Sequence, residues 1–116
     1  MNSSEKHIRN IAAIEKGKQR VYEYSGRDSL AREVWGTVAI EKRDNRYYLG
    51  VHELSSENVS LEEFDREEYW TFDSMEELEL YVKKVFQVQL SDFTSSKGQK
   101  FVFDLQQLTT VQHTTD

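Results

Sequence analysis

From Val34 to Leu54 apolar and polar positions alternate, with a break at Arg43-Asp44-Asn45-Arg46. A period of two is the mark of a half-buried strand. Asp and Asn tolerate the positive φ that a two-residue hairpin turn demands. The pattern therefore predicts two antiparallel strands, about Val34 to Lys42 and Arg46 to Leu54, turning at Asp44-Asn45. Centring the turn there pairs Arg43 with Arg46, Glu41 with Tyr48, Ile40 with Leu49, Val38 with Val51, Thr37 with His52 and Trp35 with Leu54. One face then carries Val34, Val38, Ile40, Leu49 and Val51, a core face. The other carries Trp35, Thr37, Ala39, Tyr48, His52 and Leu54, a mixed face either partly covered by a helix or partly exposed.

The remaining elements follow from the same reading. Residues 4 to 16 predict a first helix, capped by Ser3 or Ser4 and ended by Gly17, with Ile8, Ile11, Ala12 and Glu15 on one face and Ile14 beside them. Val21, Tyr22 and Tyr24 predict a strand from Gln19 to about Ser25-Gly26, and residues 27 to 32 a loop or one helical turn. Residues 55 to 67 form an acidic connection in which Val59, Leu61 and Phe64 are expected to anchor a short helical turn. Glu68 to Phe72 is a fourth strand, Tyr69 and Thr71 on one face, Trp70 and Phe72 on the other. A second helix opens on Asp73 or Ser74, where Ser74-Met75-Glu76-Glu77 fits the capping box. Met75, Leu78, Tyr81, Val82, Val85 and Phe86 give it one apolar face, and Glu79 is placed to pair with Lys83 four residues on. After Lys97-Gly98 a last strand is expected over Lys100 to Leu105. Residues 1–108 read as one domain and 109–116 as a polar, fraying tail.

The expected fold is thus α+β: a single domain with a mostly antiparallel sheet of four to five strands, packed by the second helix. The first helix is expected at an edge or on the other face. Length agrees, since 116 residues make one domain with its own core. The six Tyr, six Phe and two Trp argue against disorder. There is no cysteine, which removes disulfides, thiolate metal sites and a cysteine nucleophile. No apolar signal core opens the chain and no apolar run is long enough for a bilayer, so no membrane contact is expected and the chain reads as cytoplasmic.

Charge changes the picture more than composition does. Residues 53 to 79 hold eleven acids against one base, a formal charge of −10. The other 89 residues hold fourteen bases against ten acids, or +4, so the net of −6 conceals a strong asymmetry. Such a block attracts basic surfaces and repels nucleic acid. Phe64, Tyr69, Trp70 and Phe72 lie among the carboxylates, and aromatic anchors inside a charged rim are what protein interfaces use. The expected partner surface is Glu57, Glu62, Glu63, Asp65, Glu67, Glu68 and Tyr69, with Trp35, Tyr48 and His52 of the mixed strand face beside it.

Catalytic equipment is sparse. The three histidines, His7, His52 and His113, share no metal-binding spacing, so neither metal nor cofactor is expected. No nucleophile elbow, phosphate loop or dinucleotide fingerprint is present. His52, mid-strand, reads as a partly buried histidine opposite Thr37, and no catalytic residue is assigned. The bases are dispersed, Lys16, Lys18 and Arg20 in one place and Lys42, Arg43 and Arg46 in another, which argues against nucleic acid as partner.

Residues 69 to 86, Tyr-Trp-Thr-Phe-Asp-Ser-Met-Glu-Glu-Leu-Glu-Leu-Tyr-Val-Lys-Lys-Val-Phe, resemble a segment common in small bacterial immunity proteins. There an aromatic strand runs through a short cap into an amphipathic helix with an acidic start. The acidic, cysteine-free α+β plan is likewise similar to immunity proteins of contact-dependent and polymorphic toxin systems. The resemblance reaches no subfamily and carries over no binding residue. It implies a non-enzymatic cytoplasmic inhibitor that blocks a basic toxin domain, of nuclease type. The alternatives are a phage-type decoy (an anti-CRISPR or DNA mimic) and a small ligand-binding domain or enzyme.

Overall fold

The computed structural model describes residues 3–61, 63–96, 98 and 100–103. The element order is α1 (Ser3–Glu15), β1 (Arg20–Arg27), β2 (Glu33–Arg43), β3 (Arg46–Ser55), β4 (Arg66–Phe72), α2 (Met75–Phe86) and β5 (Thr94–Ser95). The strands form one antiparallel sheet in the order β4-β3-β2-β1-β5. A single α+β domain is thus present, with the expected order of helix, four strands, helix, strand.

The β2–β3 turn has φ of 50° at Asp44 and 64° at Asn45, the left-handed pair that matches strand twist. Arg43 faces Arg46, Val38 faces Val51 and Trp35 faces Leu54, the register expected from the sequence. One face of the sheet accordingly presents Val38, Ile40, Leu49 and Val51, all fully buried. They pack with Phe72 of β4, Leu78 and Val82 of α2, and Leu90 and Phe93 of the segment that follows. At the N-terminus of α2 the Ser74 hydroxyl accepts from the Glu77 amide at 3.2 Å. The Glu77 carboxylate accepts from the Asp73 amide, one residue before the position a capping box expects. Gln87, at φ 59°, ends the helix and donates its amide to the Lys83 carbonyl.

The first helix departs from expectation in two ways. Ile14 belongs to the same core as Leu78 and Val82, so of the two places expected, an edge or the other face, the other face is excluded and α1 lies on the α2 side of the sheet. Its buried face is Asn10, Ala13 and Ile14, while Ile8 is 66% exposed. The reason is Asn10. Its Nδ2 donates to the Leu90 and Phe93 carbonyls at 2.6 and 2.9 Å, and its Oδ1 accepts from Arg20 Nε at 2.9 Å. A buried amide whose donors and acceptor are all engaged orients the helix as firmly as an apolar stripe. Gly17, at φ 85°, ends the helix as expected.

Two further expectations are corrected. Over its described part the expected last strand, Lys100 to Leu105, is not formed: residues 100–103 lie over the sheet without strand pairing, and the last pairing among the described residues is β5, Thr94–Ser95 against Val21 and Arg20. Residues 104–116, including the expected tail, lie outside the described residues. Glu79 meets His7 at 3.1 Å instead of pairing with Lys83.

The α1 assignment is testable by urea unfolding. Ile14→Ala should cost about 2–5 kcal/mol, the usual cost of truncating a fully buried aliphatic side chain. Ile8→Ala should stay within about 0.5 kcal/mol, as exposed substitutions do. Equal costs would mean that the helix is rotated relative to this description.

Candidate functional site

The sheet face turned away from the helices is organised in cross-strand rows. In the first row, Val21, Ala39, Gly50 and Tyr69 stand side by side on β1 to β4. The two small residues in the middle leave a trough, and Phe101 and Phe103 lie in it. A Cβ on Gly50 would overlap both rings, so glycine here is a matter of space. The Gln19 side chain holds the C-terminal segment in place. Its Nε2 donates to the Phe101 carbonyl at 2.9 Å, and its Oε1 accepts from the Phe101 amide at 2.8 Å. One side-chain amide thus supplies the pair of bonds that a neighbouring strand would supply. The same Nε2 donates to Glu41, whose buried carboxylate also accepts from Arg43 at 2.6 Å.

The second row is Glu23, Thr37, His52 and Glu67. The His52 ring stacks between Phe64, 4.2 Å away, and Phe101, 4.1 Å away. Its Nε2 lies 2.6 Å from the Tyr69 hydroxyl, which donates to Glu67 at 2.7 Å. A phenol has one proton to give. With that proton on Glu67, His52 must be the donor to Tyr69, which fixes its proton on Nε2. Burial pushes the His52 pKa below its ordinary value, against the raising effect of Glu67.

Beyond this row, Trp35 and Leu54 face each other on β2 and β3. Together with Phe64, Ser96, Lys100 and Phe101 they line a cleft of about 490 Å³, whose floor is Glu23, Thr37 and His52. At this end of the sheet the β1–β2 and β3–β4 loops meet. The loops are tied by Arg32, which bonds Asp28 at 2.7 Å, Glu57 at 3.1 Å and Asp65 at 3.7 Å. Asp65 also accepts from the Ser55 amide and hydroxyl and from Asn58. Desolvation raises its pKa, but these bonds outweigh it and leave the carboxyl below its ordinary value.

The expected partner residues therefore fall in different places. Trp35 and His52 line the cleft, with Glu67 at the end of the His52 row. Glu57 and Glu63 are exposed beside it. Asp65 is committed to the loop. Glu68 points to the helix face, where it accepts from Arg66 at 2.8 Å and from Trp70 Nε1 at 3.1 Å. Tyr69 is 1% exposed, and Tyr48 packs edge-on against Phe103. Glu62 lies outside the described residues. Val59, Leu61 and Phe64 do not anchor their 3₁₀ turn in the core; all three are exposed. Glu23, Gln19 and Phe101 were not singled out by sequence reasoning. The signal for the last was the aromatic-x-aromatic Phe101-Val102-Phe103 opposite the small pair Ala39 and Gly50.

No family model, no curated protein and no solved structure matches this chain. No helix among the described residues is long and apolar enough to cross a membrane.

Two outcomes follow from this geometry. A histidine whose folded pKa lies below the unfolded value of about 6.5 contributes full stability above that pH and loses it as pH falls toward the folded pKa. The urea midpoint should therefore fall between about pH 7.5 and pH 5, and the fall should be smaller in His52→Gln, with the imidazole titration followed by NMR. An equal fall in both proteins would show that His52 is not the source. Gln19→Leu should cost about 1–3 kcal/mol, because it strips the partners from two buried backbone groups of Phe101. A neutral result in urea unfolding would mean that the Phe101 segment is held by its rings alone.

Proposed function

We propose that this chain is a non-enzymatic inhibitor acting in the cytoplasm, an immunity-type protein that binds and neutralises a basic toxin domain, of nuclease type. The observation that carries this reading is the composition of one end of the sheet. Leu30, Trp35, Val59, Leu61 and Phe64 are all exposed there. Exposed carboxylates of Glu33, Glu57, Glu63 and Glu67 stand on the same strand ends and loops. An apolar patch within a polar, charged rim is the anatomy of a protein-binding surface. Leaving five large apolar side chains in water gains the isolated domain nothing, since each would stabilise it if buried. The acidic rim selects a basic partner and speeds the encounter with it. A small ligand-binding domain is the second reading, favoured by the cleft of about 490 Å³, a size typical of ligand pockets.

The test pairs the chain with the toxin domain encoded beside it, measuring growth rescue on co-expression and binding kinetics with the purified proteins. Rescue and a stoichiometric complex are expected. Neutralising Glu57, Glu63 and Glu67 to Gln should lower k_on about tenfold at low salt and much less at high salt, with k_off little changed. Leu61→Asp should raise k_off by tenfold or more, as truncating an interface anchor does. Binding that neither variant alters would place the interface elsewhere, and absence of both rescue and complex would overturn the reading.

A further inference from the structure

Trp35 stands on β2, the middle strand of the sheet, yet its side chain is 45% exposed. Among the described residues its indole stacks on no aromatic ring and its Nε1 donates to no acceptor. Glu23 lies diagonally across from it, since Glu23 pairs with Thr37 and Trp35 with Ser25 on the same face. Diagonal cross-strand neighbours lie within reach of one long side chain. Glu23 is exposed and makes no ion pair or hydrogen bond among the described residues. Within the strands most other carboxylates are engaged: Glu41 by Gln19 and Arg43, Glu53 by Tyr24, Glu67 by Tyr69, Glu68 by Arg66. Glu33, at the first position of β2, is exposed and unengaged like Glu23, but Glu23 alone of the two lies mid-strand, diagonal to the uncovered indole.

Trp35 also separates two hollows. The larger is the cleft described above, which has Lys100 on its wall. The smaller, of about 350 Å³, is lined by Glu23, Tyr24, Ser25, Trp35, Gly36 and Thr37, and among the described residues Glu23 is its only charged group. We propose that this smaller hollow is a receptor for a guanidinium group, an arginine side chain of the basic partner inferred under Proposed function. The planar cation stacks on the Trp35 indole while its edge pairs with the Glu23 carboxylate. Cation–π attraction is strongest over tryptophan. Arginine suits the site better than lysine because its flat, weakly hydrated head can stack and bond in plane at once. The larger hollow is the poorer host, because Lys100 would repel the cation there.

The inference rests on the inhibitor reading for its partner but can be tested without one. Blocked arginine (acetyl-arginine methylamide) is titrated into the full chain while the Trp35 indole N–H is followed by NMR. The Trp70 indole, bonded to Glu68 on the opposite face, serves as internal control. A saturable shift of Trp35 alone is expected, with affinity on the order of millimolar, as suits one small contact. Blocked citrulline, isosteric and uncharged, should give none, and blocked lysine should bind more weakly. Glu23→Gln should weaken the arginine titration at least about threefold, the scale of one exposed charged contact. Its unfolding midpoint should stay that of wild type, since Glu23 has no partner to lose. No shift, equal response to arginine and citrulline, equal response to lysine, or an unchanged Glu23→Gln titration would each overturn the receptor. If a toxin domain binds with Glu23→Gln as tightly as with wild type, the receptor is wrong and the inhibitor reading stands. If the arginine titration succeeds and no toxin domain is bound, the receptor stands and the inhibitor reading falls.

Discussion

The register of the β2–β3 hairpin is the constraint on which the molecule depends. Side chains alternate with a period of two, so a slip of one residue would move every apolar side chain of both strands to the wrong face. Asp44 and Asn45, held at positive φ, forbid that slip by admitting only a two-residue turn. From this single register come both a dry face, with Val38, Ile40, Leu49 and Val51, and a second face with Trp35, Thr37, His52 and Leu54. β1 and β4 then add to either side in matching alternation, which extends each cross-strand row from two residues to four.

The two faces are closed by different means. The helix face is sealed by α1, α2 and Phe93, and its polar groups are bonded to one another, Asn10 to Leu90 and Phe93, Glu68 to Arg66 and Trp70, and Tyr24 to Glu53. On the other face, Phe101 and Phe103 fill the trough made by Ala39 and Gly50, and the cleft lies beside them, toward Trp35 and Leu54. His52 marks the boundary: one ring face touches Phe101 of the C-terminal segment and the other touches Phe64 of the β3–β4 loop. The two walls of the cleft therefore lean on one imidazole, which the Tyr69–Glu67 relay holds in a single tautomer.

Legibility in the sequence tracked the locality of the cause. The hairpin, the α2 cap at Ser74 and the split of Tyr69 from Trp70 across β4 are set by neighbouring residues, and each was readable. The orientation of α1 was not, because it depends on bonds from Asn10 to carbonyls 80 and 83 residues away. A polar residue counts against a buried face in any periodicity argument, although fully bonded it serves as one. The Phe101 segment was misread as a strand for a related reason. Its backbone finds partners in the Gln19 side chain instead of in a neighbouring strand, and no local pattern announces that. The candidate site was half legible. Trp35 and His52 were placed together by register alone, whereas Glu23 becomes notable only when its neighbours are seen to be paired and it is not.

The acidic block illustrates how sequence charge and surface charge differ. Several of its members meet a cation or donor inside the fold: Asp65 and Glu57 at Arg32, Glu68 at Arg66, Glu53 at Tyr24, Asp73 at Arg46. Such pairing leaves the net charge of −6 untouched. A partner approaching to within about a Debye length, about 8 Å at physiological salt, responds to that residual net charge more than to local pairing. Contact energy is different. At touching distance only carboxylates without a bonded neighbour gain a new ion pair without breaking an old one, and among the described residues those nearest the exposed apolar patch include Glu63, Glu33 and Glu23. The block can therefore steer association as a whole while a few unpaired acids, Glu63 within it and Glu33 and Glu23 outside it, determine how tightly the partner is held, which is why substitutions at paired and unpaired acids should separate in kinetics even where they change the net charge equally.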